Sequence, residues 1–227
     1  MSDNKEKQSE ESLANVEVAL TRTEQFIEKN QKVITIGALA IVVAIAAFWS
    51  ISKFYFEPLE NKAQTEMFNA QFYFEKDSFN LALNGDESNS GFLNIIDEYG
   101  STKAGKLARY YAGVCYLNLG QFDEAIASLS SFSSDNNQIN SLAKGLVGDA
   151  QLEKGNSKEA VAAYKKAIDC ADKLTAPIYL MKLGVLYESM GDAASATAAY
   201  QQLKDNYKTS SQARFIDKYI ERAGAAK

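Results

Sequence analysis

The chain has 227 residues, a formal net charge of −5 and no histidine. Without imidazole it lacks the side chain most often used for acid–base chemistry near neutral pH, and the commonest ligand for zinc, copper and non-haem iron. Mild acidity with no basic tract argues against nucleic acid as a partner. Only two prolines, with many Ala, Leu and Lys, favour helix. Residues 1–11 (MSDNKEKQSEE) are polar and charged, a composition expected to be disordered. Next, Leu13, Val16, Leu20 and Ile27 recur at helical steps, with polar Thr23 at the one skipped step. The stripe suits a short amphipathic helix on the membrane surface or against a partner helix. Simple continuation of the helix that follows is the other reading.

Residues 33–51 (VITIGALAIVVAIAAFWSI) carry no charge. At ~1.5 Å per residue the run is about 28 Å long, close to the ~30 Å hydrocarbon thickness of a bilayer. Lys32 and Lys53 bracket it, and Trp49, Phe54, Tyr55 and Phe56 mark its far edge, where aromatics and long cations anchor. A cleaved signal peptide would be shorter and follow a basic segment, whereas the preceding residues are acidic on balance. The Ala44-x-Ala46 match lies in mid-run. A buried core helix would not be apolar on every face. Arg22, Lys29 and Lys32 on one side, against Lys53 and Lys62 on the other, favour the N-terminus inside. The remainder would then lie outside the cytoplasm, in a bacterium the periplasm. The expected organisation is a cytoplasmic tail with its amphipathic helix (1–32), a transmembrane helix (33–52), and a domain from Pro58 to the end (58–227).

That domain repeats. Gly113, Tyr116, Gly120, Ala125 and Leu129 set a frame; Gly148, Gln151, Gly155, Ala160 and Tyr164 match it, as do Gly184, Tyr187, Gly191, Ala196 and Tyr200. The spacing resembles the tetratricopeptide repeat (TPR), a helical hairpin of about 34 residues. In that frame the leading glycines clear space between helix A and helix B, and Tyr116 and Tyr187 fill the gap between repeats. The second glycines end helix A in the left-handed conformation. The alanines let helix B approach, and Leu129, Tyr164 and Tyr200 fill the core. Gln151 departs from the usual Tyr, and the consensus Trp and terminal Pro are absent. A degenerate first repeat covers about residues 62–99. Ala70, Tyr73 and Ala82 fit, Asp77 stands where the turn glycine belongs, and the insertion 84–91 interrupts helix B. A final helix near residues 211–223 should cap the stack. Residues 99–104 and 207–213 echo each other as helix end, Ser/Thr cap and new helix. The fold class is therefore all-α: one transmembrane helix, then a TPR-type solenoid of about four repeats and a cap.

Helix A of each repeat lines the concave face of such a stack. Projecting the frame gives Tyr110, Val114, Leu117, Asn118, Asp149, Leu152, Met181, Val185 and Glu188 as groove residues, any of which could instead pack only between repeats. Lys182 is the one cation near them, too few to clamp a peptide C-terminus. The aromatic and Met content suits apolar peptide segments. Cys115 and Cys170, each flanked by apolar residues in helical stretches, read as small buried hydrophobes, and sequence leaves open whether they pair. No phosphate loop, dinucleotide fingerprint or metal-ligand pattern occurs, so no cofactor and no catalysis is expected.

A short acidic tail, one span and roughly four TPR-like repeats, in that order, resemble the YfgM-like family, ancillary subunits of the bacterial SecYEG translocon. The resemblance implies an inner-membrane protein with a periplasmic TPR domain, working beside the translocon with a PpiD-type chaperone, and no catalytic residues. An envelope-assembly or cell-division adaptor is the alternative class; those are typically lipidated or cleaved, and this chain has no cysteine near its start. Intact-mass measurement on protein extracted from membranes should return a chain that retains residues 1–46. A product beginning after Ala46 would make the apolar run a cleaved leader.

Overall fold

A computed structural model describes the backbone of residues 3–225, and side chains from Phe26 onward apart from Glu28. The side chains of Leu13, Val16, Leu20 and Thr23 lie outside the described residues. The chain divides into two compact units, 1–57 and 58–227.

In the first unit, α1 runs unbroken from Asp3 to Ile51. The segment 3–11, expected to be disordered, is helical. Nucleation is the costly step of helix formation, and a helix already established by the apolar run extends cheaply through Lys, Glu and Gln. Residues 33–56 are all exposed, and among the described residues one helical stretch, Lys29–Glu75, is long and apolar enough to cross a membrane. Thr35 Oγ1 donates back to Gln31 O at 2.7 Å, so the one hydroxyl in the first half of the apolar run has a partner without solvent. A single π-helical turn, Ser52–Phe56, follows α1.

The second unit is a series of helical hairpins. Its first helix is α2 (Glu57–Glu75), with Pro58 as its second residue. It is followed by α3 (Phe79–Asn84) and α4 (Phe92–Tyr99). Three regular hairpins come next: α5 (Lys103–Asn118) with α6 (Phe122–Ser130), α7 (Asn137–Glu153) with α8 (Ser157–Asp169), and α9 (Ala176–Ser189) with α10 (Ala193–Asn206). A 3₁₀ turn (Gln212–Phe215) leads into the closing helix α11 (Ile216–Ala225). Described strands are absent; Gly85 and Ser90 form one isolated bridge.

Each hairpin turns the same way. Gly120, Gly155 and Gly191 take φ of 72°, 78° and 77°. That turns the chain so that Gln121, Asn156 and Asp192 N–H groups each donate at 2.9 Å to the carbonyl five residues back, on Tyr116, Gln151 and Tyr187. In the first repeat Asp77 adopts φ 55° and Ser78 N–H reaches Tyr73 O at 2.9 Å. Asp is among the few non-glycine residues that tolerate this region. The insertion is a loop between α3 and α4, fastened to α2 by the Asp86 carboxylate. That group accepts from Tyr73 O–H and from the Ser88 and Asn89 N–H groups at 2.7 and 2.8 Å. The Tyr73 bond, with the others, lowers the Asp86 carboxyl to about 2. The two echoed caps both form: Thr102 Oγ1 accepts from Gly105 N–H at 2.9 Å, and Ser210 Oγ from Ala213 N–H at 3.2 Å.

Cores form where helix B is pressed into helix A. A Cβ on Gly113 would lie 2.4 Å from Leu129, on Gly148 2.6 Å from the Tyr164 ring, and on Gly184 2.2 Å from the Tyr200 ring. Leu129, Tyr164 and Tyr200 are buried, as are Ala125, Ala160 and Ala196. Tyr116 packs against the core of the first repeats, and Tyr187 against the cores on both sides of α9. Cys115 is buried and its thiol is pushed up to about 12 by burial. Cys170, by contrast, sits half-exposed just past α8, and the two cysteines form no disulfide. The Gly184→Ala variant should lose about 1–3 kcal/mol of stability from overpacking against Tyr200, measured by thermal or denaturant unfolding of the full chain.

Candidate functional site: the helix A groove

The A helices α7 and α9 enclose a groove of about 520 Å³ with Tyr164 of α8 at its base. Asp149 and Leu152 come from α7, and Met181, Lys182, Val185, Leu186 and Ser189 from α9. Four of the nine residues projected from the repeat frame therefore meet here: Asp149, Leu152, Met181 and Val185. Glu188 lies in the adjoining hollow between α9 and α11, which it shares with Val185, Ser189 and Arg222. The α5 residues stand elsewhere. Tyr110 is half-buried with its ring 5.6 Å from Phe132, part of the packing between α5 and α7. Val114 and Leu117 are half-buried, and Asn118 is exposed, its Nδ2 donating to Val114 O at 2.8 Å.

The groove's polar atoms are committed to one another. Asp149 accepts from Tyr164 O–H at 2.6 Å and from Lys182 Nζ at 2.7 Å. Glu188 accepts from Tyr200 O–H at 2.8 Å and from Arg222 Nε at 3.0 Å, with a second Arg222 nitrogen on its other oxygen. Ser189 donates to Leu186 O at 2.7 Å. In both sets a carboxylate on helix A accepts a hydrogen bond from the tyrosine that fills its own hairpin and pairs with a cation two helices further along the chain. Burial, then the neighbouring carboxylate, pushes both tyrosine hydroxyls above their ordinary value. What remains uncommitted is apolar: Leu152 and Val185 are 41% and 45% exposed, with Met181 between them in the lining.

Sequence reasoning did not find Arg222. A signal was present: Arg222 stands two residues before Gly224 as Lys182 stands two before Gly184, so the closing helix repeats the cation's place in the frame. Among the described residues no group of three or more His, Cys, Asp or Glu is placed to hold a metal.

Arg222, with help from Tyr200, holds the Glu188 carboxyl below its ordinary 4.5. A depressed carboxyl binds its proton more weakly in the folded chain than in the unfolded one. Its stabilisation is present above the unfolded value and fades as pH falls through the folded one. Glu188→Gln should therefore melt lower than wild type at neutral pH, and the gap should close as pH drops below about 4.5 in a calorimetric series.

The tetratricopeptide repeat-like domain family matches residues 62–188, and the tetratricopeptide repeat family matches residues 179–210. No curated protein matches the chain in sequence. Among solved structures, the crystal structure of MamA protein is similar at 19% identity, covering 72% of this chain and 91% of that one, with a TM-score of 0.53. A second MamA crystal structure aligns at 21% identity over 60% and 88%, with a TM-score of 0.41. The first of these likenesses concerns the fold alone. The family match spans more than half of the sequence and falls on the hairpins described above, so this chain belongs to the tetratricopeptide repeat-like domain family.

Proposed function

We propose that the chain is a membrane-anchored, non-catalytic scaffold that binds segments of other proteins in its helix A groove. One observation carries the reading: the groove's carboxylates and cations neutralise each other, so the surface it offers to a ligand is Leu152, Met181 and Val185. Burying apolar area gains about 25 cal/mol per Å². A charged segment would have to displace an existing ion pair to be satisfied there. Clamping a C-terminal carboxylate would require cations that Asp149 and Glu188 already occupy.

In this reading α1 crosses a bacterial inner membrane once, its N-terminus in the cytoplasm, and the repeat unit works in the periplasm. The apolar run, its flanking lysines and its aromatic edge support the span. Anchoring confines the groove near one membrane complex and raises its effective concentration there, to the mM range for a short tether. Together with the resemblance to the YfgM-like family, this favours an ancillary subunit of the SecYEG translocon that passes emerging chains to a PpiD-type chaperone.

A photo-crosslinking residue in place of Met181 or Val185, activated in intact membranes, should capture translocating chains and translocon or chaperone components. The same residue in place of Tyr110, packed on Phe132, should capture far less. If none of these proteins is recovered from Met181 or Val185, the translocon assignment fails.

A further inference from the structure

Two irregularities of the repeat meet at one place on the other side of α7. Helix α6 has 9 residues, against 13 in α8 and 14 in α10. The chain leaves it at Ser131 and crosses to α7 through residues 131–136. Secondly, Gln151 occupies the position where Tyr116 and Tyr187 fill the space between repeats. Where a longer α6 and an aromatic ring would have packed, a hollow of about 410 Å³ remains, distinct from the helix A groove. Ile126 and Phe132 line it from the side of α6, Val147 from α7 and Ala162 from α8.

Its rim differs in charge from the groove's. Lys144 and Lys166 line it with a single acid, Glu159, and neither lysine is in an ion pair among the described residues. Lys144 Nζ rests 3.4 Å from Cys170 Sγ. Gln151 Oε1 accepts from Asn156 Nδ2 at 2.9 Å, while its own amide N–H groups have no acceptor among the described residues. The hollow thus offers an apolar floor, uncommitted positive charge and an amide donor suited to a main-chain carbonyl.

We infer that this hollow is a second docking site, for a segment of a partner protein that carries a large apolar side chain beside an acidic one. The helix A groove rejects added charge because its own is neutralised. This surface selects acid because its lysines are not. An aliphatic side chain enters between Phe132 and Ala162, and the adjacent carboxylate meets Lys144 and Lys166.

The test uses the full chain in lipid nanodiscs and two short fluorescein-labelled peptides, each presenting Leu and Phe one helical turn apart, one flanked by Glu and the other by Lys. The Glu-flanked peptide should bind about tenfold more tightly than the Lys-flanked one, the effect of two partly exposed ion pairs. Gln151→Tyr restores the residue the frame calls for. It should abolish this binding without lowering the melting temperature, which separates loss of the site from loss of the fold. The Lys144→Glu/Lys166→Glu double variant should invert the preference. Equal affinity for the two peptides would overturn the proposal. So would loss of binding in Val185→Asp rather than Gln151→Tyr, which would place the peptide in the helix A groove. Binding of oleate with no binding of either peptide would make the hollow a lipid site and likewise end the proposal.

Discussion

Everything in the repeat unit depends on the approach of a helix B knob to a helix A backbone that has no side chain at the contact. At Gly113, Gly148 and Gly184 any Cβ would come within 2.4, 2.6 and 2.2 Å of Leu129, Tyr164 and Tyr200, well inside van der Waals contact. The glycines cost helix stability, each about 1 kcal/mol relative to Ala. What offsets them is the knob itself: a buried Tyr or Leu brings about 1.5–3 kcal/mol or more of apolar burial, and only at that separation. The positive-φ turns contribute the other half of the geometry. By reversing the chain in a fixed way, they deliver each helix B to the same height on its helix A.

The same knobs connect the core to the groove. Tyr164 and Tyr200 are buried through their rings, yet each hydroxyl reaches a carboxylate at the groove's edge. A buried hydroxyl without a partner is costly, so the carboxylate is held where the tyrosine needs it. Lys182 and Arg222 then complete the arrangement from two helices further on, adding an ionic link from each hairpin to the element that follows it. Such partly exposed pairs contribute little to stability. Their larger consequence is on the surface left over, which, having consumed its own charges, presents mainly hydrocarbon.

Departures from the repeat are as informative as the repeat. Asp77 reproduces the left-handed turn without glycine, so the first hairpin keeps its direction. The inserted loop after α3 is fastened by Asp86 and leaves the buried contacts of Ala82 and Leu83 intact. The short α6 and Gln151 are of another kind. They remove volume where neighbours contain it, and the space appears as a lined hollow with a rim charge unlike the groove's.

Several features were settled by sequence alone, because they depend on local chemistry or on periodicity. The uncharged run of residues 33–51, the three glycine–alanine frames and the Ser/Thr caps each follow from what a short stretch of chain can do. The reach of the first helix was not legible in this way: composition pointed to disorder in residues 3–11, whereas helix propagates into them from a neighbour already nucleated. The groove was half legible. Frame projection selected the residues of α7 and α9 that line it, but assigned Tyr110 the same status, although its ring packs on Phe132. A repeat frame specifies which direction a side chain leaves its helix, and not whether the following helix is long enough to cover it. The partnership of Glu188 with Arg222, 34 residues apart, and the hollow beside the shortened α6 were decided only by tertiary structure, since both depend on what the neighbouring hairpin brings, or fails to bring, to the same point in space.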